Sequence, residues 1–320
     1  MSRYEELILS AESVAIFTHI NTDGDAIGSS LALRKMLINM GKNADVFVDS
    51  TIPYHIQFLP GIECLNVKSC EKYDLHIAVD SASRDRLGRN KFKFGKKVPT
   101  IQIDHHLGNP NFAESNIVDT NVSSTGELLY NVISSLSQKV DKDMAKCLIV
   151  AMLTDSGNLT FSNARPASFS IVSKLLNIYG DSIDTITNPL NNSISMDVFN
   201  LKKYVYDTID FKIDNRLAIC YLDKAIFEKT NTSIDDTKGL VYVPFELKSV
   251  EVAVILSQGT DGAIHGSIRS KGSVPISTIA SSFGGGGHIN AAGFKSFEPF
   301  EKIKEQIIVE TKKVLLWLVL

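Results

Sequence analysis

The stretch His19-Ile20-Asn21-Thr22-Asp23-Gly24-Asp25 brings one histidine and two aspartates together in a short segment. It follows Val14-Ala15-Ile16-Phe17-Thr18, an apolar run that is typical of a buried β-strand. It precedes residues 26–37, in which apolar side chains recur at helical spacing. The stretch is therefore predicted to form the turn between the carboxyl end of a strand and a helix. Open α/β sheets bind their ligands at such turns.

The simpler interpretation of this turn is a helix start in which Asn21 or Asp25 caps the helix. Capping would use at most one of the histidine and the two aspartates in this turn, so it leaves the others unexplained. A short motif alone, however, often matches by chance. The choice between capping and metal binding depends on the rest of the chain, where further acids and histidines stand in comparable positions.

The composition is that of a globular protein, with 320 residues, 44% hydrophobic residues, 22% charged residues and a net charge of −3. A chain of this length is expected to form about two domains. The near-neutral charge argues against broad duplex-DNA binding, which needs a large basic surface. It leaves room for a small nucleotide held by a few local cations. The four cysteines lack CxxC spacing, which argues against a structural zinc site or a disulfide framework.

The two ends of the sequence predict a cytoplasmic protein that does not bind membranes. Residues 1–6 lack the basic and then apolar pattern of a signal peptide. Residues 314–320 are apolar, but the run is too short to span a bilayer.

Residues 1–180 alternate short apolar runs with helical patterns, and this alternation predicts an α/β fold. We expect a mostly parallel sheet that is flanked by helices on both faces. The predicted strands are 14–18, 44–48, 75–79, 100–103 and 116–118. The predicted helices are 4–11, 26–40, 124–136, 142–153 and 166–179.

A polar segment, residues 181–195, predicts a linker between a first domain at 1–180 and a second domain at 196–320. The second domain is predicted to be a smaller α/β unit with hairpins at 211–222 and 250–269. We expect the substrate to bind in a cleft between the two domains.

Further apolar segments end in acids or histidines, as the first strand does. The segments and the residues that follow them are 75–79 with Asp80, 100–103 with Asp104-His105-His106, and 146–154 with Asp155. The carboxyl ends of parallel strands meet at one edge, so these side chains are expected to cluster. Clustered carboxylates repel one another, and this repulsion raises their pKa values. Bound divalent cations would offset the repulsion. Imidazole with several carboxylates suits Mn²⁺, Mg²⁺ or Fe²⁺.

Six of these side chains are enough to bind two cations if one carboxylate bridges them: His19, Asp23, Asp25, Asp80, His105 and Asp155. Two ions about 3.5–4 Å apart activate water and clamp the phosphate oxygens of an in-line displacement. A single aspartate is more often a helix cap, and a single histidine is more often a core residue. Six such residues at strand and helix ends favour a metal centre.

The motifs also resemble a known family. In chain order they are His19-x-Asn21-x-Asp23-x-Asp25, Val79-Asp80 with Arg86 and Gly88, Asp104-His105-His106, and Thr154-Asp155-Ser156-Gly157. This series resembles the DHH phosphoesterase superfamily, and residues 284–294 resemble its associated C-terminal domain. In its length and in the motif at residues 284–294, the chain is most similar to the bifunctional oligoribonuclease (nano-RNase)/pAp phosphatase branch of this superfamily. The resemblance implies hydrolysis of very short RNAs and of 3′-phosphoadenosine 5′-phosphate (pAp) with Mn²⁺, or with Mg²⁺ as the alternative.

The resemblance further implies a role for each residue. His19, Asp23 and Asp80 hold one ion, and Asp25, Asp80, His105 and Asp155 hold the other, so that Asp80 bridges the pair. His106 contacts the scissile phosphate and protonates the leaving oxygen, while Asp104 orients a histidine. Arg86 helps to order the site. Ser156 stands where the family often has threonine, and it keeps the hydroxyl group.

In the second domain the glycine run 284–287 follows a helical stretch, and we interpret it as an anion-binding loop. Gly285, Gly286 and Gly287 would present backbone N–H groups, and His288 and Arg269 would add positive charge for a terminal phosphate. A flexible linker is the alternative for a glycine run, but the flanking segments are too apolar. The basic stretch 91–97 is interpreted as a solvated loop rather than a nucleic-acid track.

We therefore expect a two-metal hydrolase that converts short oligoribonucleotides (nanoRNA, or dinucleotides such as pApA) to mononucleotides, and pAp to AMP and phosphate. A cyclic or linear dinucleotide phosphodiesterase and a non-catalytic nucleotide sensor of the same fold stay open as alternatives. The glycine-histidine motif near the C-terminus argues against a pyrophosphatase. The length of 320 residues leaves little room for the extra domains of a RecJ-type DNA exonuclease. A dehydrogenase would need Gly-x-Gly-x-x-Gly after the first strand, and residues 21–29 lack it. The oligomeric state stays open and includes a homodimer.

Overall fold

The computed structural model describes residues 1–237, 239–272, 274–287 and 289–317. The chain divides into two compact units, Met1–Ser193 and Ile194–Leu320. Within the described ranges, no helix combines the length and the apolar character that crossing a membrane requires.

A sheet of five parallel strands forms the centre of the first unit. The strands are β1 (Ser13–Phe17), β2 (Asn43–Phe47), β3 (Leu75–Val79), β4 (Thr100–Asp104) and β5 (Ser115–Val118). All five predicted strands are confirmed, and every pairing is parallel. Their order in the sheet is β2-β1-β3-β4-β5, so the strand order reverses between β1 and β3. In open α/β sheets, the carboxyl ends beside such a reversal form a ligand crevice.

Helices cover one face of this sheet. They are α1 (Arg3–Ser10), α2 (Gly24–Asn39), α3 (Thr125–Ser135), α4 (Lys142–Asp155), α5 (Pro166–Tyr179) and α6 (Asp184–Asn192). Their apolar side chains share a core with Val14 and Ile16 of β1. Helix α6 lies within the predicted linker 181–195, and its Ile186 is buried in this core.

The opposite face of the sheet is covered by an irregular segment, so the prediction of helices on both faces is wrong. Ala15 and Phe17, which alternate with the residues of the first core, contact Leu87 and Phe94 there. Both residues belong to a segment that contains 3₁₀ turns instead of an α-helix. Of the two aromatic residues in the basic stretch 91–97, Phe92 is exposed, whereas Phe94 is buried and anchors the segment to the sheet.

Helices α2 and α4 approach closely because two positions on α2 are glycine. A Cβ atom at Gly28 would overlap the carbonyl oxygen of Cys147, and one at Gly24 would overlap the side chain of Thr154. Helix α4 ends at Asp155, and Asp25 lies in the first turn of α2. The close packing therefore brings these two carboxylates into one site.

The second unit is built on a six-stranded mixed sheet. The strands are β6 (Asp210–Lys212), β7 (Leu217–Leu222), β8 (Val252–Gln258), β9 (Ile264–Ser270), β10 (Gly286–Gly287) and β11 (Ala291–Ser296). Their order is β10-β11-β9-β8-β7-β6. The antiparallel pairs β6–β7 and β8–β9 confirm the two predicted hairpins.

Helices cover both faces of the second sheet. They are α7 (Met196–Thr208), α8 (Lys224–Thr230), α9 (Ser277–Ser281) and α10 (Phe300–Trp317). Helices α7 and α8 pack on one face, and α9 and α10 pack on the other. The cleft between the two units and the exact domain boundaries stay predictions.

Candidate metal centre

The turn after β1 contains both a helix cap and side chains that point into the predicted metal site. Asp23 caps α2, because its Oδ1 accepts a hydrogen bond from the N–H of Ala26 at 3.1 Å. The cap is thus Asp23 rather than Asn21 or Asp25. His19 and Asp25 are both buried, and their side chains point into the same cluster of acids and imidazoles.

One group of ligand atoms consists of His19, Asp23 and Asp80. The Nε2 atom of His19 lies 3.8 Å from Asp23 Oδ1 and 3.4 Å from Asp80 Oδ2. Its Nδ1 atom lies 2.6 Å from the carbonyl oxygen of Ile20, which only accepts hydrogen bonds. Nδ1 therefore carries a proton, and Nε2 is the ring nitrogen that faces the carboxylates and would be the one to bind a metal ion.

A second group surrounds His105. Its Nε2 atom lies 3.8 Å from Asp25 Oδ2, 3.7 Å from Asp80 Oδ1 and 3.5 Å from Asp155 Oδ2. These side chains come from α2, from the ends of β3 and β4, and from the end of α4. The structure therefore brings all six predicted metal ligands together in overlapping groups, and His106 joins Asp80 and His105 in one of these groups.

Asp80 belongs to both groups through different oxygens. Its Oδ2 faces His19, whereas its Oδ1 faces His105. Asp80 directly follows β3 and has a positive φ of 55°, a conformation uncommon for residues other than glycine. The local backbone thus turns sharply at the residue whose carboxylate is shared.

The amino end of α3 supports the carboxylates, and the sequence analysis missed this role. The N–H groups of Thr125 and Gly126 donate to Asp25 Oδ2 at 2.7 Å and to Asp25 Oδ1 at 2.9 Å. The Thr125 hydroxyl donates to Asp80 Oδ1 at 2.8 Å. The sequence did predict a helix start at residue 124. The structure confirms it, because the Ser124 hydroxyl caps α3 by accepting a hydrogen bond from the N–H of Glu127. A helix amino terminus favours negative charge, which is the signal that could have suggested the role.

The electrostatics of the cluster show a deficit of positive charge. Burial, together with repulsion from Asp80, raises the pKa of Asp25 well above its usual value. Burial also raises the pKa of Asp155 to about 6, with repulsion from Asp80 adding to it and attraction from His105 opposing it. Burial opposes the charged form of His19, but hydrogen bonds with Asp23 and Asp80 outweigh it and raise its pKa to about 10. These carboxylates and imidazoles fit divalent cations, which supply the missing charge.

His106 lies beside the cluster and is held by Asp104. Its Nδ1 atom lies 2.8 Å from Asp104 Oδ1, and Asp104 is fully buried. Asn109 donates to the other oxygen of Asp104. The hydrogen bond with Asp104 raises the pKa of His106, although burial opposes it. His106 Nδ1 also lies 3.7 Å from Asp80 Oδ1, but its contact with Asp104 leaves Nε2 as the nitrogen for a ligand.

Arg86 contacts the turn after β1 through both its backbone and its side chain. Its carbonyl oxygen accepts the N–H of Ile20 at 2.7 Å, and its Nη2 lies 3.2 Å from His19 Nδ1. The carbonyl of Ile20 is nearer to His19 Nδ1, so the guanidinium contact does not change the tautomer. Arg86 therefore lies behind His19 and supports the turn.

The predicted anion loop of the second unit is only partly available for a ligand. The N–H of Gly284 donates to the carbonyl of Ser281, and that of Gly285 donates to the carbonyl of Ala280. The N–H of Gly285 thus closes the end of α9, and we do not propose it as a phosphate ligand. Gly286 and Gly287 pair with β11 and stay predictions. His288 lies outside the described residues.

Arg269 lies on β9 of the same sheet, opposite Ala291 of β11. Its Nε donates to the hydroxyl of Tyr242 at 3.1 Å, and its guanidinium lies 5.8 Å from the centre of that ring. Its Nη1 donates to the carbonyl of Ile268 at 2.9 Å. These contacts hold the guanidinium in one orientation, and its phosphate-binding role stays a prediction.

Comparisons with known proteins agree with this architecture. The sequence model described as the DHH family, N-terminal domain, matches residues 13–152, and that of the DHHA1 domain matches residues 216–312. The chain is 32% identical over 285 residues to the "bifunctional oligoribonuclease and PAP phosphatase NrnA" of Thermus thermophilus, covering 88% of this chain and 83% of that one. It is 27% identical over 308 residues to a "probable bifunctional oligoribonuclease and PAP phosphatase NrnA" of Streptococcus mutans, covering 96% of each.

A solved structure has the same fold along the whole chain. It is an "exopolyphosphatase-related protein" from Bacteroides fragilis, with a TM-score of 0.88 and 28% identity. The match covers 98% of this chain and 96% of that chain. The similarity therefore extends over both sheets.

Proposed function

The chain belongs to the DHH family, and we propose that it is a Mn²⁺-dependent phosphoesterase that acts on small nucleotides. Its substrates are short oligoribonucleotides, which it hydrolyses to mononucleotides, and pAp, which it hydrolyses to AMP and phosphate. The names of the Thermus thermophilus and Streptococcus mutans relatives support both activities. An oligoribonuclease cleaves a phosphodiester and a pAp phosphatase cleaves a phosphomonoester, so a single centre must accept both.

The observation that carries this proposal is the position of Asp80 between two sets of ligands. Each of its oxygens faces the Nε2 atom of a different histidine, at 3.4 Å for His19 and 3.7 Å for His105. A carboxylate with this arrangement suits a bridge between two cations. His19, Asp23 and Asp80 would hold one, and Asp25, Asp80, His105 and Asp155 would hold the other. When bound, two cations of this kind lower the pKa of water and neutralise the phosphate oxygens.

His106 is proposed to act on the leaving group. Its Nδ1 contact with buried Asp104 fixes the ring and leaves Nε2 to face the substrate. A histidine held in this way can donate a proton from Nε2 to the leaving oxygen as the bond to phosphorus breaks. Asn109 holds Asp104 from the other side, so the orientation of His106 depends on two neighbours.

The second unit is proposed to bind a terminal phosphate of the substrate. Arg269 offers a charged donor whose orientation Tyr242 and the Ile268 carbonyl restrict. Gly286 and Gly287, with His288 next to them in sequence, complete the predicted group. A site that grips a terminal phosphate favours short substrates, because a longer strand must also be accommodated.

The experiment that tests this function is hydrolysis of pAp and of 5′-phosphorylated oligoribonucleotides of graded length. The reactions are run with Mn²⁺, with Mg²⁺ and with a chelator. We expect pAp and the dinucleotide to be hydrolysed, the rate to fall with length, and the chelator to stop both reactions. The Asp80→Asn variant serves as the inactive control. Equal rates on dinucleotides and on long RNA, or activity that the chelator leaves intact, would contradict the proposal.

A further inference from the structure

A polar cavity of about 400 Å³ opens beside His106 in the first unit. This volume is within the range of small-molecule sites. Its lining comes from the segment after β4 and from β5 and the residues that follow it: His106, Gly108, Asn109, Asn111, Asn116, Val118 and Thr120. Residues 116, 118 and 120 alternate along the chain, as expected for side chains on one face of an extended segment.

The lining contains no lysine, arginine, aspartate or glutamate. Two of its carboxamides already have partners within the protein. Asn109 donates to Asp104, and Asn116 exchanges hydrogen bonds with the backbone of Ala113. The side chains of Asn111 and Thr120 are exposed and make no hydrogen bond with another described residue. Beyond His106, the lining thus offers an uncharged, polar surface with an amide and a hydroxyl available to a ligand.

We propose that this cavity is the subsite for the uncharged nucleoside at the far end of a dinucleotide substrate. The proposal rests on the proposed function, in which His106 contacts the scissile phosphate. The second nucleoside of pApA is joined to that phosphate and carries only hydroxyls and a base beyond it. The uncharged part of the lining beyond His106 matches this group, whereas it offers no countercharge for a further phosphate. The single nucleoside of pAp carries phosphate at both ends, so pAp leaves the cavity empty.

The proposal predicts that the cavity affects one substrate class and not the other. We would replace Asn111 by glycine, which adopts the observed positive φ of 55° without strain. We would replace Thr120 by valine, which has the same shape but lacks the hydroxyl. Each change removes a neutral hydrogen bond to the ligand, so KM for pApA should rise roughly threefold to tenfold. KM for pAp and for bis(p-nitrophenyl) phosphate, which has no nucleoside, should not change.

The matched control is Asn215→Gly. Asn215 is another exposed asparagine at positive φ, with a value of 64°, in the turn between β6 and β7 of the second unit. This variant should leave all three KM values unchanged. An equal rise in KM for pApA and pAp would overturn the proposal, because the cavity would then bind a group that both substrates share. An unchanged KM for pApA in both cavity variants would also overturn it.

A binding measurement separates this inference from the proposed function. Calorimetric titration of a pApA analogue with a non-hydrolysable scissile linkage into Mn²⁺-loaded protein reports the cavity without turnover. The Asn111→Gly and Thr120→Val variants should bind this analogue about threefold to tenfold more weakly than wild type. If the wild type hydrolyses bis(p-nitrophenyl) phosphate but neither nucleotide, the proposed function fails, while weaker binding in the variants still supports the subsite. Unchanged binding in the variants overturns the subsite whatever the enzyme hydrolyses.

Discussion

Replacing Thr125 by valine removes one hydroxyl group from the metal centre and preserves the shape of the side chain. That hydroxyl donates to Asp80 Oδ1 at 2.8 Å, while the backbone N–H that binds Asp25 is retained. A hydrogen bond to a charged group contributes about 1.5–3 kcal/mol, which corresponds to roughly tenfold to a hundredfold in affinity. Mutating a residue that orients a metal ligand typically lowers metal affinity by about 10–100-fold. We therefore expect Thr125→Val to bind Mn²⁺ more weakly by a factor in that range.

The assay is a calorimetric titration of Mn²⁺ into chelator-treated protein, followed by kcat at saturating Mn²⁺. Thr125→Ser keeps the hydroxyl and should restore most of the affinity. Thr187→Val is the control, because its hydroxyl donates to the carbonyl of Ile183, the residue before α6, in a solvent-exposed hydrogen bond. Unchanged Mn²⁺ affinity in Thr125→Val would refute the reasoning that α3 holds Asp80 in place. A fall in kcat alone, with normal Mn²⁺ binding, would refute it as well.

Three further predictions address the bridge, the helix packing and a buried histidine. Asp80→Asn should reduce Mn²⁺ stoichiometry below two and abolish turnover, and a variant that still binds two ions and turns over would contradict the bridge. Gly28→Ala usually stabilises a helix by about 1 kcal/mol, but here overlap with Cys147 should instead destabilise the protein by about 1–3 kcal/mol in urea unfolding. Burial lowers the pKa of His76 to about 4. The unfolded state therefore gains a proton first as pH falls below about 6.5, and stability should decline by up to about 1.4 kcal/mol per unit. His76→Phe should remove that decline between pH 6.5 and 4, and an identical slope in the variant would count against it.

The sequence predicted the elements that position the proposed metal ligands because the signals for these elements are local. Apolar runs ending in acids or histidines identified β1, β3 and β4. Parallel pairing then requires the carboxyl ends of those strands to lie together, so His19, Asp80 and His105 could be grouped without coordinates. The roles of these residues as metal ligands still depend on the binding experiments above.

In the first unit, the segment that covers the sheet face opposite the helices could not be predicted in the same way. The segment that covers it has a basic, mixed composition, and a single buried ring, Phe94, attaches it near Phe17. Periodicity identifies an amphipathic helix over several turns, but it gives no signal for one aromatic anchor in an irregular segment. The lysines around Phe94 suggested a solvated loop, although the ring itself is part of the core.

The sequence indicated where α3 begins, but it did not indicate which carboxylates the N–H groups at that helix end would bind. Thr125 and Gly126 lie a hundred residues from Asp25 along the chain, and only tertiary packing aims their N–H groups at its carboxylate. Gly126 is required there, since a Cβ atom would lie 2.5 Å from Ala151 of α4 and 3.5 Å from Asp25 Oδ1. The partial positive charge of a helix end is about half a unit charge. It offsets part of the repulsion among Asp25, Asp80 and Asp155, and the remaining repulsion is what makes this cluster attractive to divalent cations.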